Sequence, residues 1–239
     1  MLLNRLKKLL NSDLRSDSSA SNYYEYKYLI THHLLAYIED LLSEFIGHSD
    51  PYEMGLVNSV YYDTLNEDTL QQCLNGDANK VKFRIRAYDE STFVQVHQKF
   101  KTLSGVFKYK SKIVPIVMSG NKAPLWEELI SKNNDDDFKQ IKFNGQAFGP
   151  LFPSVRIQYQ RHRYRKYDYR ITLDKNIEAF SLSNGLPRAK TYAALPYHVL
   201  EIKTKDHRPT LPFNGLIPLK QVSFSKFMLG LDLLDNKMI

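Results

Sequence analysis

The chain has 239 residues and a formal net charge of +7, with 33 lysines and arginines against 26 acidic residues. This length suits one sizeable domain with its own core, and the excess of cations favours an anionic partner such as phosphate, nucleic acid or an anionic surface. Cys73 is the only cysteine. An internal disulfide and a cysteine-based zinc site are therefore excluded, and a reducing compartment, the cytoplasm, is expected.

Leucines recur at helical spacing over the first residues, with arginines and lysines between them. The pattern predicts a basic amphipathic helix and a serine-rich linker over residues 1–21, ahead of a main domain over residues 22–239. Packing against the main domain or a partner is favoured, and peripheral contact with a membrane or a membrane protein is the alternative. No apolar run is long enough for a transmembrane segment, and no signal peptide is indicated.

The main domain is rich in predicted strands. Its first elements are a strand from Tyr23 to Ile30, a helix from His32 to Phe45, a strand from Val57 to Asp63 and a short helix from Asn66 to Leu74. Three strands follow between Lys80 and Pro115, and then a helix from Pro124 to Asn133. The last elements are strands over residues 154–164, 169–174 and 199–205, and a helix over residues 223–234.

The strand from Lys80 to Ala87 has a cation at every second residue and an apolar side chain between each pair. Because side chains alternate along a strand, one face is cationic and the other apolar. Cations about 7 Å apart repel by about 2.4 kcal/mol at an effective dielectric of 20, so the cationic face must be well solvated or bind anions. Similar sets recur: His97, Lys99 and Lys101; Lys108, Lys110 and Lys112; and Tyr159, Arg161, Arg163 and Arg165. One such strand is typical of a solvated sheet surface, but four indicate an anion-binding surface.

Many strands with few helices predict an α+β fold that is mainly antiparallel β. So many polar positions on one strand face argue against a sandwich with a dry core. A closed β-barrel resolves this conflict, because it encloses a polar, ligand-holding interior while helices pack on its apolar outer face. We therefore predict a closed barrel.

The chain lacks a phosphate loop, a dinucleotide-binding turn and a zinc-protease motif, so bound phosphates would have to be held by side chains. Arginine and lysine suit phosphate binding and also stabilise charge during phosphoryl transfer. That reaction usually needs a divalent metal held by a carboxylate. Glu201 shares strand parity with Lys203 and Lys205, so it is either a metal ligand or an ion-pair partner of these lysines.

Three other acids are less informative. Glu25 shares parity with Lys27 in the first strand, where a surface ion pair is the default interpretation. Asp63 and Asp174 lie at predicted strand ends, where an aspartate is as often a turn former as a ligand.

Seven short motifs follow one another along the chain: Glu25-Tyr-Lys27, Ser59-Val-Tyr-Tyr-Asp63, Lys82-Phe-Arg-Ile-Arg86, Tyr159-Gln-Arg161, Arg170-Ile-Thr-Leu-Asp174, Leu200-Glu-Ile-Lys203, and Ser225-Lys-Phe227 with Gly230. Together, in this order, they resemble the VTC domain over roughly residues 22–231. This is the polyphosphate polymerase domain of the vacuolar transporter chaperone proteins and their bacterial relatives, in the triphosphate tunnel metalloenzyme superfamily.

The resemblance implies a triphosphate tunnel fold whose basic interior binds ATP and a growing polyphosphate chain. It implies a phosphotransferase that moves the terminal phosphate of ATP onto polyphosphate and releases ADP, with Mn²⁺ or Mg²⁺ as cofactor and Glu201 as the metal ligand. The residues implied as catalytic are Lys27, Arg84, Arg86 and Lys226. Those implied to bind phosphate are Lys99, Lys101, Lys108, Lys110, Tyr159, Arg161, Arg170, Lys203 and Ser225.

The chain departs from the related hydrolases and cyclases at two positions. Tyr23 stands where their Glu-x-Glu-x-Lys strand has its first glutamate, and His97 stands where another strand has Glu-x-Lys. Fewer carboxylates favour the polymerase over a tripolyphosphatase or nucleoside triphosphatase, the second hypothesis. His97 either donates to phosphate or is a polar barrel residue. A third hypothesis is a non-catalytic module that binds polyphosphate or nucleic acid, although no specific nucleic-acid partner is expected.

Overall fold

The structure is a computed structural model that describes residues 23–47, 50–89, 93–103, 105–115, 151–182, 188–207, 219–223 and 225–235. The strands in these ranges are β1 (Tyr24–Ile30), β2 (Met54–Asp63), β3 (Lys80–Tyr88), β4 (Phe93–Thr102), β5 (Gly105–Pro115), β6 (Phe152–Lys166), β7 (Tyr169–Ser181), β8 (Tyr192–Ala194) and β9 (His198–Thr204). The helices are α1 (His32–Phe45), α2 (Asp68–Leu74) and α3 (Lys226–Leu234). The helices predicted at the N-terminus and from Pro124 to Asn133 lie outside the described residues.

The α+β, mainly antiparallel architecture predicted from the sequence is confirmed. The main difference is that β7 continues to Ser181 instead of ending at Asp174, and that β8, which was not predicted, pairs with it. Asp174, Lys175 and Asn176 form a polar run that is typical of a turn, but β7 continues through these residues. Among the described residues, no helix has both the length and the apolar character needed to cross a bilayer.

The described residues fall into two compact units. The first is drawn from Ser59–Ser154, and its strands lie in the order β2, β3, β4, β5. The second is drawn from Ser21–Asn58, Val155–Ser183 and Pro187–Ile239, and its strands lie in the order β1, β9, β7, β6, with β8 beside β7. Each unit by itself is an open antiparallel sheet, so neither is the closed barrel that was predicted.

In the second unit, α1 covers one face of the sheet. Its residues Ile38, Leu41 and Leu42 are buried in one core with apolar side chains from four strands. These strand residues are Ile30, Tyr164, Ile171, Leu173, Leu200 and Ile202. Because they occupy alternate positions, the residues between them lie on the opposite face of the sheet. That opposite face carries the charged residues described in the next subsection.

In the first unit, the predicted alternation along β3 is confirmed. Val81, Phe83, Ile85 and Ala87 are buried, and α2 packs against this strand. The Gln72 side chain of α2 accepts a hydrogen bond from the backbone N–H of Val81 at 3.1 Å. The apolar face of β3 therefore belongs to the core, and its cations lie on the other face.

Asp63, left open as a turn former or a ligand, is a turn former. Its buried carboxylate accepts hydrogen bonds from the backbone N–H groups of Thr64, Thr69 and Leu70 at 2.8, 2.9 and 2.9 Å. Burial raises the pKa of Asp63, although these hydrogen bonds oppose the rise. The carboxylate thus satisfies N–H groups of the turn before α2 and of the first turn of that helix.

A β-bulge in β7 lets α3 pack beside the charged face. The pairing of β6 with β7 shifts by one residue near Asn176, which has a φ of 49°. This extra residue places Asp174 and Ala179, on either side of the bulge, on the same face. Gly230 of α3 packs here, since a Cβ on it would lie 2.5 Å from Ile157 Cδ1 and 3.2 Å from Ala179 Cβ.

We expect Gly230→Ala to destabilise the protein. Alanine is favoured over glycine in a helix by about 1 kcal/mol, but overpacking a core costs about 1–3 kcal/mol, so the net loss should reach up to about 2 kcal/mol. Chemical denaturation measures it. Ile157→Val removes the clashing Cδ1 atom, so the double variant should recover part of the loss. A Gly230→Ala variant as stable as the wild type would contradict this packing.

Candidate functional site

Glu201 lies among lysines on the charged face of the second unit. The register places Glu201 of β9 opposite Lys27 of β1, and Lys203 opposite Glu25. Glu201 Oε1 is 2.6 Å from Lys203 Nζ, and Glu25 Oε1 is 2.7 Å from Lys27 Nζ. Burial raises the pKa of Glu201, but Lys203, Lys27 and two further cations of this face outweigh it and hold the pKa well below its usual range. Glu201 is therefore an ionised carboxylate, 12% exposed.

Asp174 is the second ionised carboxylate on this face, and it is 0% exposed. Arg161 donates two hydrogen bonds to it, from Nε to Oδ1 at 2.6 Å and from Nη2 to Oδ2 at 2.8 Å. Lys226 Nζ, at the start of α3, lies 2.6 Å from Oδ2. Burial raises the pKa of Asp174, but these two cations lower it by more. Asp174 was left open as a turn former or a metal ligand, and here it is a buried counter-ion.

Tyr159 and Ser225 lie beside this ion-pair network. The buried ring of Tyr159 has its centroid 5.3 Å from Arg161 Cζ and 5.0 Å from Lys226 Nζ, in cation–π contact with both. Ser225 is the N-cap residue of α3, and its backbone carbonyl oxygen accepts a hydrogen bond from the Leu229 N–H at 2.9 Å. The structure therefore brings Arg161, Lys226 and Tyr159 together beside Asp174, and Ser225 directly precedes Lys226.

Arg170 lies at the exposed end of the same face. The register places it opposite Lys203 of β9 and opposite Arg165 of β6. Like charges directly opposite one another repel, so this corner of the face favours an anion. Arg163 differs, because it is buried and its Nη1 donates to the carbonyl oxygen of Tyr52 at 2.8 Å. Its guanidinium holds the chain before β2, which the alternation of cations in the sequence did not indicate.

In the first unit, lysines lie opposite lysines across three neighbouring strands. Lys82 of β3 pairs with Lys99 of β4, which pairs in turn with Lys108 of β5. Lys101 lies opposite Lys80, and the backbone of Lys110 lies opposite His97. Such a register is unfavourable unless anions or solvent offset the repulsion. This cluster contrasts with that of the second unit, where acids lie between the cations.

Arg84 and Arg86 are held by polar side chains of the first unit. Arg86 is buried, and its Nε donates to Ser59 Oγ at 2.9 Å. Arg84 Nη2 lies 3.2 Å from His97 Nδ1, while His97 Nε2 lies 2.9 Å from Gln95 Oε1. Arginine can only donate, so Nδ1 accepts and Nε2–H donates to Gln95. His97 therefore orients Arg84. This contact favours the interpretation of His97 as a polar structural residue.

Tyr61 belongs to this cluster, although the sequence did not single it out. Its buried hydroxyl lies 3.5 Å from Arg84 Nη1. Burial raises the pKa of Tyr61, but Arg84, Arg86 and Lys82 lower it by more, to about 7. The sequence signal that could have identified Tyr61 was strand parity, because Tyr61 shares the parity of Ser59 and Asp63 in one of the seven motifs. A tyrosine that ionises near neutral pH marks a strongly positive field.

A family model of the VTC domain matches residues 21–235. The chain belongs to the VTC-domain family. This confirms the family predicted from the seven motifs, and the match covers both of the clusters described above. Among curated proteins, none matches the sequence.

Solved structures similar to this VTC domain come from distant proteins. A candidate adenylate cyclase from Bacillus halodurans is 14% identical, covering 76% of this chain and 80% of that chain, with a TM-score of 0.46. A candidate adenylyl cyclase from Hippeastrum, described as having a dominant triphosphatase activity, is 16% identical over 90% of this chain and 96% of that chain, with a TM-score of 0.49. The RNA triphosphatase Pct1 of S. pombe is 11% identical over 86% and 77%, with a TM-score of 0.33. These likenesses are too distant to decide fold or chemistry.

The acids of this VTC domain suit a hard divalent cation that shares its ligands with a substrate. In the part of the chain that the structure describes, no group of three or more His, Cys, Asp or Glu residues could hold a metal ion. Mg²⁺ is often bound by only one or two carboxylates, together with substrate phosphates and water. Glu201 and the neighbouring Glu25 supply such oxygen donors, and Lys203 and Lys27 each contact one of their oxygens. Arg161 and Lys226, in contrast, contact both oxygens of Asp174.

We expect one tyrosine of the folded VTC domain to ionise near pH 7, because the pKa of Tyr61 is lowered to about 7 from its ordinary value of 10.0. The folded pKa lies below the unfolded one, so this group stabilises the fold fully above pH 10 and the stabilisation is lost as pH falls through 7. Near-UV absorbance of tyrosinate and denaturation at each pH measure both effects.

Tyr61→Phe should abolish this absorbance step. Tyr62→Phe is the matched control, because burial raises the pKa of that neighbouring tyrosine and its removal should leave the step unchanged. An absorbance step that persists in Tyr61→Phe would refute the assignment.

Proposed function

We propose that the protein is a metal-dependent polyphosphate polymerase, which transfers the terminal phosphate of ATP onto the end of a polyphosphate chain and releases ADP. The observation that carries this proposal is Glu201, an ionised and largely buried carboxylate whose pKa is held down by Lys203, Lys27, Lys226 and Arg161. One acid surrounded by cations is the charge pattern that a metal-bound triphosphate complements. Membership of the VTC-domain family supports the same chemistry.

The second-unit cluster is assigned to the reacting phosphates. Lys27 and Lys226 neutralise charge on the triphosphate, Arg161 and Lys203 bind phosphate oxygens, and Arg170 binds the chain at the exposed end of this face. Tyr159 and Ser225 flank these groups. Their support is their proximity within one unit and the matched family motifs.

The first-unit cluster is assigned to holding phosphates. Arg84 and Arg86 bind the ATP phosphates, as the resemblance implies, and Lys99, Lys101, Lys108 and Lys110 line the path of the polymer. The supports are the lysine-to-lysine register across β3, β4 and β5 and the lowered pKa of Tyr61.

The transfer itself needs little covalent help from the protein. An oxygen at the end of the polyphosphate chain attacks the γ-phosphorus of ATP, and the bond from that phosphorus to the β–γ bridging oxygen breaks, so ADP leaves with the bonding electrons. The chain grows by one phosphate. The cations bind and align both reactants and offset charge as it develops, which is most of what phosphoryl transfer requires.

Glu201, with Glu25 as the neighbouring acid, would hold Mn²⁺ or Mg²⁺, which supplies further neutralisation of triphosphate charge. ATP and polyphosphate are the proposed partners, and the cytoplasm is the proposed location. Docking to a membrane or a membrane protein through residues 1–15 stays a prediction, because that segment lies outside the described residues.

Incubation of the full chain with ATP and Mn²⁺, or with Mg²⁺, tests the reaction. We expect ADP and polyphosphate chains visible on a gel, with nearly all transferred phosphate in polymer. Release of free phosphate without polymer would replace the proposal with a triphosphatase. Binding of polyphosphate without consumption of ATP would replace it with a non-catalytic binding module.

Glu201→Gln should lower metal-dependent turnover about 100-fold or more, because the variant keeps its shape but loses the charge that attracts the cation. Binding of tripolyphosphate without metal should not weaken. Glu178→Gln is the matched control, since Glu178 is a half-buried carboxylate on the opposite face, hydrogen-bonded by Tyr192 at 2.9 Å. Full metal-dependent activity in Glu201→Gln would remove Glu201 from the site.

A further inference from the structure

Asp174 links two cations that come from different parts of the second unit. Arg161 reaches it from the neighbouring strand β6, in direct cross-strand register. Lys226 reaches it from the first turn of α3. All three N···O distances lie between 2.6 and 2.8 Å, and the carboxylate is fully buried. One acid therefore fixes the ends of two long side chains.

This linkage orders Arg161 and Lys226 before a substrate arrives. Long cationic side chains lose much rotamer freedom when they bind, and a site whose cations are already held avoids that loss at the moment of binding. The carboxylate uses two of the five N–H donors of the Arg161 guanidinium. The other donors of this group can bind phosphate oxygens without breaking the link.

The same linkage reduces the charge that a phosphate chain meets. Arg161, Lys226 and Asp174 together carry a net charge of +1, whereas the two cations without the acid would carry +2. On β3, β4 and β5, by contrast, the register places Lys82 opposite Lys99 and Lys99 opposite Lys108. The second-unit cluster should therefore attract a phosphate chain less strongly than its number of cations suggests.

We propose that Asp174 is a positioning residue for the transfer: it holds Arg161 and Lys226 towards the phosphates and offsets one positive charge, so that a phosphate chain binds reversibly and can advance. This inference rests on the proposed function, since it assumes that this face binds a phosphate chain. It assigns Asp174 no contact with the reacting atoms. Its effect passes through the two cations.

Asp174→Asn tests the proposal, because the amide keeps the shape and an accepting oxygen but removes the charge. Tripolyphosphate binding without metal, measured by calorimetry, should tighten by roughly tenfold, which corresponds to one unit charge at several ångströms and an intermediate dielectric. The dependence of affinity on salt should also steepen. In ATP turnover, kcat should fall while KM does not rise. Unchanged or weaker tripolyphosphate binding would overturn the proposal.

Asp63→Asn is the matched control. Asp63 is also a buried carboxylate, but it accepts hydrogen bonds from the backbone N–H groups of a turn and a helix start, so its replacement should lower Tm without changing tripolyphosphate affinity. A purely structural role for Asp174 would give this same result, a lower Tm with unchanged binding, and would count against the proposal.

If Asp174→Asn does not fold, the effect of its charge is measured in a Lys226→Gln background. Lys226→Gln alone lowers the net charge of the group from +1 to 0 and removes a phosphate-binding cation, so tripolyphosphate binding should weaken. Adding Asp174→Asn restores the net charge of +1 and should recover part of that loss, and no recovery would overturn the charge offset. The binding measurements also separate this inference from the proposed function. A wild type that binds tripolyphosphate but makes no polymer would refute the polymerase and leave the role of Asp174 to be decided by the binding of its variants.

Discussion

Burial of a carboxylate between two cations is the constraint on which the second unit depends. Asp174 has no exposed surface, so its charge is tolerable only because Arg161 and Lys226 both contact it. Those contacts require the register of β6 with β7 and the seating of α3 on Ile157 and Ala179. Strand pairing, helix packing and electrostatics therefore determine one another at this position.

The two clusters differ in whether acidic side chains lie among their cations, and this difference bears on function. In the first unit, Lys82, Lys99 and Lys108 lie opposite one another, and a buried tyrosine is driven towards ionisation. In the second unit, Glu201 and Asp174 lie between the cations and are themselves held ionised. Under the proposed function, the cluster of the first unit would attract a phosphate chain strongly, and the cluster of the second unit would hold it more weakly.

Alternation along single strands was predictable from the sequence, and so were the cationic face of β3 and the helix α1. The role of Glu201 as a metal ligand was a hypothesis from the sequence and stays a proposal. Contacts between strands were not, because alternation says which face a residue occupies but not which residue lies opposite. The bulge at Asn176 reverses parity in the middle of β7, so no count along the sequence could place Asp174 and Ala179 together. Arg163 follows the same alternating pattern as Arg161 and Arg165 in the sequence. Its burial and its hydrogen bond to the carbonyl oxygen of Tyr52 are known only from the structure.

Asp174 and Lys175 are neighbours in sequence that project from opposite faces of β7. Asp174 meets the charged face, while Lys175 Nζ lies 2.6 Å from Glu39 of α1 on the other. A change at Asp174 would leave Arg161 and Lys226 without their buried counter-ion, and a change at Lys175 would remove an ion pair with Glu39, so β7 has little freedom to diversify. The exposed Lys101 and Lys108 on β4 and β5 have no such constraint from burial. Evolution or engineering of ligand preference should therefore proceed through β4 and β5, while β7 stays fixed.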